Sequence, residues 1–108
     1  MRWYEQLYVG EKAKKHRFSI IRAVRAGKRS GYYILTLPSN EKNLLDIYPA
    51  VTLQQPYYRE NDMLILGIAA DYEDAANLAG TMIGEVYQKT GGFDVAGYLK
   101  KKTCREHV

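Results

Sequence analysis

The sequence predicts a small α/β domain: three strands, mainly parallel, in the order β-α-β-α-β-α, covered by helices. Three observations predict it. β-rich segments alternate with segments whose apolar residues fall at helical spacing, which is the signature of crossover connections between parallel strands. Met63 to Ala70 is an unbroken apolar run, as expected of a strand buried on both faces. The chain has 108 residues, the size of one compact domain, so all elements share one fold. An α+β, ferredoxin-like arrangement is the alternative.

Taken in order, Trp3 to Val9 alternates, with Trp3, Leu7 and Val9 on one side and Tyr4 and Tyr8 on the other; it reads as a strand ending at Gly10. Glu11 to Ala26 gathers Ala13, Ile20, Ile21 and Val24 on one helical face, and Gly27 is placed as a stop. Because Phe18, Ile20 and Val24 also share a period of two, a strand over Arg17 to Arg25 is the competing assignment. Tyr32 to Leu37 is β-rich and closes at Pro38, which has no N–H for a ladder. Ser39 and Asn40 can cap a helix whose Leu44, Ile47, Tyr48 and Val51 recur at i, i+3, i+4 and i+7. Pro49 interrupts that helix, so a kink is expected, or a break opening a second short segment that ends near Gln55 and Pro56.

Glu60 to Asp62 marks a turn before the apolar run, which is expected at the centre of the sheet. Asp71 can cap the next helix, and Glu73 and Asp74 fall in its first turn, where the dipole favours negative charge. Tyr72, Ala75, Ala76, Ala79, Met82, Ile83, Val86 and Tyr87 form a wide apolar face, and Gly91-Gly92 ends the helix. Phe93 to Leu99 is a last short element docking through Phe93, Val95, Tyr98 and Leu99. A single domain over residues 1–99 and a disordered basic tail over 100–108 complete the division.

The stretches Leu7–Gly10, Leu35–Pro49, Leu53–Arg59, Leu66–Ala69 and Val86–Gly91 resemble a family of small Gram-positive bacterial proteins to which no activity is assigned. The resemblance covers most of the chain up to about Leu99. It implies a small cytoplasmic α/β domain and carries over no functional residue.

Composition narrows the function classes. The first residues lack the apolar stretch of a secretory signal, and no run approaches the length of a membrane span, so a cytoplasmic location without membrane contact is expected. The one cysteine, Cys104, has no partner for an internal disulfide. Charge is uneven: residues 12–29 hold eight of the 16 Lys and Arg and no acid, whereas residues 30–99 hold three bases and nine acids. Lys14, Lys15, Arg17, Arg22 and Arg25 in this stretch could neutralise phosphates, with Tyr32 and Tyr33 nearby to stack on bases. No recognised nucleic-acid motif accompanies them, and a solvated helix face accounts for the same charges.

Parallel strands would bring Lys12, Ser39, Asn40, Asn43, Asp71 and Tyr72 to the carboxyl edge of the sheet, where a small anion or polar metabolite could bind. Capping by itself accounts fully for Ser39, Asn40 and Asp71 and is the favoured reading. No dinucleotide or nucleoside-triphosphate loop is present, so no cofactor is expected. His16 lies among bases and His107 in the tail, so neither a metal site nor a catalytic triad is expected. Glu73, Asp74 and Glu85 read as a solvated helix face. Tyr57, Tyr58 and Arg59 form the most distinctive polar-aromatic segment and are candidates for an interface between copies of the chain. Ala76, Gly80 and Gly84, four apart on the same helix, suggest close approach of another backbone. The leading expectation is a non-catalytic, self-associating interaction module; a nucleic-acid-binding accessory protein and a small-molecule sensor or enzyme are the rivals.

Overall fold

A computed structural model describes residues 2–27, 31–38, 43–55 and 63–106. It shows a four-stranded mixed sheet in the order β1-β4-β2-β3, so the fold is α+β and the expected three-stranded, mainly parallel sheet is incorrect. The strands are β1 (Arg2–Val9), β2 (Tyr33–Thr36), β3 (Asp46–Pro49) and β4 (Leu64–Ala69); the helices are α1 (Arg17–Ala26), α2 (Tyr72–Thr90) and α3 (Val95–Glu106). Only β1 and β4 run parallel; β2 is antiparallel to both β4 and β3. Among the described residues α1 lies between β1 and β2, and α2 and α3 follow β4.

Two local facts reverse the expected direction. The segment from Gly10 through α1 leaves the carboxyl end of β1 and returns to that end, because Tyr33 at the start of β2 pairs with Ala69 at the finish of β4. The residues expected to form a second helix instead supply β3, where Ile47 and Tyr48 pair with Leu35 and Ile34. Ile and Tyr suit a pleated, half-buried surface, and Pro49 is tolerated at the end of an edge strand, whereas inside a helix it would remove a hydrogen bond. The proline then opens a short 3-10 helix, Ala50–Gln54, so the break expected at this point is present without the helix before it.

β4 lies at the centre as its apolar run suggests, with Ile65 to Ala69 buried. A register shift against β2 between Leu35 and Thr36 marks a bulge. Ile65 and Ile68 consequently pack with α1 on one side of the sheet, and Leu66 and Ala69 pack with α2 and α3 on the other. At Gly67 a Cβ would press at 3.1 Å on both Leu78 and the Tyr8 carbonyl, so the backbones of β1 and β4 and the side of α2 meet there closely. The faces read for β1 are those observed: Trp3, Leu7 and Val9 join the α1 side, and Tyr4 and Tyr8 join the α2 side.

α2 has the expected cap, since the Asp71 side chain accepts from the Asp74 N–H at 2.8 Å, and Gly91 ends the helix at φ 76°. Its buried side is Ala75, Leu78, Met82 and Val86, while Ala76, Tyr72 and Tyr87 face outward. Val95 and Leu99 of α3 are buried against this layer, and the Tyr4 hydroxyl donates to the Leu99 carbonyl at 2.8 Å. α3 continues to Glu106, through most of the stretch expected as a tail.

Candidate nucleic-acid interface

α1 forms for ordinary reasons. Ile20 and Val24, one turn apart, bury against Ile34, Ile65 and Ile68 of the sheet, each contributing about 1.5–3 kcal/mol. Gly27 stops the helix in the left-handed region at φ 66°, its N–H returning to the carbonyls of Ala23 and Val24. On the amino side a 3-10 turn, Lys14–His16, leads into the helix.

The charges on this element do not follow from stability. The first turn contains no acid and no side-chain cap, yet Lys14, Lys15 and Arg17 crowd the end where the helix dipole is positive. α2 is built the opposite way, with Asp71 as cap and Glu73 and Asp74 in its first turn. Phe18, Arg22 and Arg25 follow one another along α1 at spacings of four and three residues, which aligns them on one outward stripe, and Lys14 lies in the 3-10 turn before it. All are exposed, and Phe18 in the middle has 72% of its surface free.

Three of these side chains have partners: Lys14 pairs with Glu11 at 2.7 Å, the Arg25 guanidinium lies 5.4 Å from the Trp3 ring centre, and that of Arg17 lies 5.4 Å from the Phe18 ring centre. Lys15, Arg17 and Arg22 have no carboxylate within 4.0 Å among the described residues. The cations of α1 are therefore displayed to solvent rather than turned towards the acidic part of the chain.

The parallel strand direction expected to gather the carboxyl-edge cluster is corrected. β2 runs antiparallel, so its carboxyl end, which leads to Ser39 and Asn40, is opposite the end where Lys12 and Asp71 lie; Ser39 and Asn40 themselves fall outside the described residues. Lys12 and Asp71 do meet, at 3.2 Å, with Glu73 at 3.8 Å from the same ammonium. Asp71 is held below the usual carboxylate range by the Asp74 N–H and then by Lys12, and Lys12 is raised above the usual lysine range chiefly by its bond to Asp71. That is an exposed ion pair on a helix cap.

Asp74 is not on a solvated face. It is 2% exposed, and its carboxylate accepts from the Lys12 N–H at 3.2 Å and the Ala70 N–H at 3.0 Å, tying together the turns that leave β1 and β4. Glu85 is half-buried and accepts from the Tyr8 hydroxyl at 2.6 Å. Nothing in their spacing could have announced the links to Lys12 and Tyr8, which lie 62 and 77 residues away in sequence.

Tyr72 turns its edge to the Tyr33 ring, 5.7 Å between centres, and lines an open cleft of about 440 Å³ with Asn43, Leu45, Asp46, Ile47 and Tyr48. The Asp46 carboxylate in that cleft accepts from the Tyr48 hydroxyl at 3.0 Å and from the Asn43 amide at 3.3 Å. Tyr57, Tyr58 and Arg59 lie outside the described residues, as do the side chains of Cys104 and His107. Among the described residues no group of three or more His, Cys, Asp or Glu is arranged to hold a metal ion, and no helix is long and apolar enough to cross a membrane. The chain matches no protein-family model, no curated protein and no solved structure.

Proposed function

We propose that this protein is a binding module for nucleic acid, acting from the cytoplasm through the outward stripe of α1, with Lys14, Lys15, Arg17, Arg22 and Arg25 as the contacting residues. The supporting observation is the placement of Lys15 and Arg17, neither with a carboxylate within 4.0 Å among the described residues, at the amino end of α1, where they oppose the helix dipole. Like charges one turn apart cost a helix a few tenths of a kcal/mol each, and an incoming phosphate would relieve this repulsion. A sequence whose local choices disagree with stability at one place is expected to use that place.

Retention on immobilised DNA and RNA tests the reading. Binding is expected to fall steeply as salt rises, because each neutralised phosphate releases counterions. Substituting Lys14, Lys15 and Arg22 together by Gln should abolish retention while leaving the thermal unfolding transition in place. Absent or salt-insensitive retention refutes it.

Self-association is a second reading, favoured by Tyr87 and Phe93, whose stacked rings, 5.3 Å apart, are each more than half exposed at the turn between α2 and α3. Light scattering across a concentration series distinguishes a dimer from a monomer.

A further inference from the structure

We infer that the stripe takes single-stranded nucleic acid, with Phe18 as the stacking platform for one base; this rests on the nucleic-acid reading above. The largest exposed apolar side chain of α1 is not needed by either core. Ile20 and Val24 face the sheet, and Phe18 points away from it with 72% of its surface in water. Leaving a ring of this size exposed forgoes roughly 1.5–3 kcal/mol of burial. It stands between Lys14, in the 3-10 turn that leads into α1, and Arg22 one turn further along the helix, so a ring for a base has a cation on each side in sequence for the flanking phosphates. The Arg17 guanidinium lies over the ring 5.4 Å from its centre, a further cation beside the platform whose other face is left for a base.

A duplex offers such a ring little, because its bases are stacked on one another and its phosphates form the outer surface. A single strand offers an open π-face flanked by charge, the pattern of aromatic and cation that sequence-tolerant single-strand binders use. An anionic lipid surface fits less well. A helix lying in a membrane interface inserts a continuous apolar face, and here that face is spent on the sheet.

The test is fluorescence anisotropy with a labelled oligothymidine of about a dozen nucleotides and a duplex of equal length. The wild-type chain is expected to prefer the single strand. Phe18→Ala should weaken single-strand binding by roughly fivefold to a hundredfold, with the slope of affinity against salt unchanged and duplex binding unaffected. Phe18→Trp should restore the affinity. Arg22→Gln should instead lower the slope for both probes. Because Phe18 is exposed, the melting temperature of the Ala variant serves as the folding control. Salt-dependent binding that ignores Phe18→Ala, or that favours the duplex, overturns single-strand stacking and leaves the nucleic-acid reading standing. Absence of binding to either probe, or binding only to phosphatidylserine vesicles, overturns both.

Discussion

Asp74 of α2 fills the space in front of Gly10, the residue that ends β1: a Cβ on Gly10 would collide with the Asp74 carboxylate. The same carboxylate accepts from the backbone N–H groups of Lys12 and Ala70, so the turns leaving the two parallel strands are fastened to one buried side chain. This clasp sets where the chain turns towards α1 and hence where the basic stripe begins.

Gly10→Ala is therefore expected to destabilise the fold by about 1–3 kcal/mol, the usual cost of overpacking a filled site. Asp74→Ala should cost about 1–3 kcal/mol, because two part-buried backbone donors lose their acceptor. Urea unfolding measures both. A Gly10→Ala variant as stable as wild type would mean that the carboxylate can vacate this position freely.

Asp71 and Lys12 should titrate away from their ordinary values in opposite directions. Asp71 is lowered in the folded state, so its contribution is present above the ordinary carboxylate pKa and lost as pH falls through its own, lower value. Lys12 is raised, so its contribution is present below the ordinary lysine pKa and lost as pH rises through its own, higher value. Carbon-detected NMR titration of the Asp71 carboxyl is expected to give a midpoint below the usual range. Lys12→Ala should bring the midpoint part of the way back, the Asp74 N–H being the larger cause.

The Tyr8 phenol is raised far above its ordinary value, first by burial and then by its hydrogen bond to Glu85. A raised phenol favours folding below the unfolded tyrosine pKa of about 10 and loses that contribution as pH rises beyond it. Tyr8→Phe should accordingly cost about 0.5–1.5 kcal/mol at neutral pH and reduce the alkaline fall in stability. Denaturant curves at neutral and alkaline pH give both quantities. An unchanged alkaline fall contradicts the assignment.

Gly80 and Gly84 of α2 have no atom within 4 Å of where a Cβ would be, so the close approach that their spacing suggests is not made by any described part of this chain. Each Gly→Ala substitution should stabilise the monomer by about 0.5–1 kcal/mol. A loss of stability at protein concentrations where light scattering shows a dimer would instead place a second copy on this face.

Much of the architecture is legible in the residues themselves. Met63 to Ala70 declares a central strand by its unbroken apolarity, Asp71 and Gly91 bracket α2, and Gly27 stops α1. β3 is not legible, because a four-residue strand is too short to show a period of two, and Leu44, Ile47, Tyr48 and Val51 match helical spacing by coincidence. The direction of β2 is equally hidden: it depends on α1 returning to the end it left, and turn residues do not encode that. Of the candidate site, the cations could be read directly, whereas the lack of a carboxylate beside Lys15, Arg17 and Arg22 among the described residues and the outward position of Phe18 required the packing of Ile20 and Val24 to be known. Leu78 and the clasp at Asp74 depend on contacts across the sequence and could not be read from local spacing.

Amide chemical-shift mapping during titration with a short oligonucleotide tests the central claim most directly. The account predicts shifts concentrated at Lys15, Phe18 and Arg22, diminishing as salt is raised, with α2 unperturbed. Shifts gathered around Asp46 and Tyr72, or none at any ratio of oligonucleotide to protein, would contradict it.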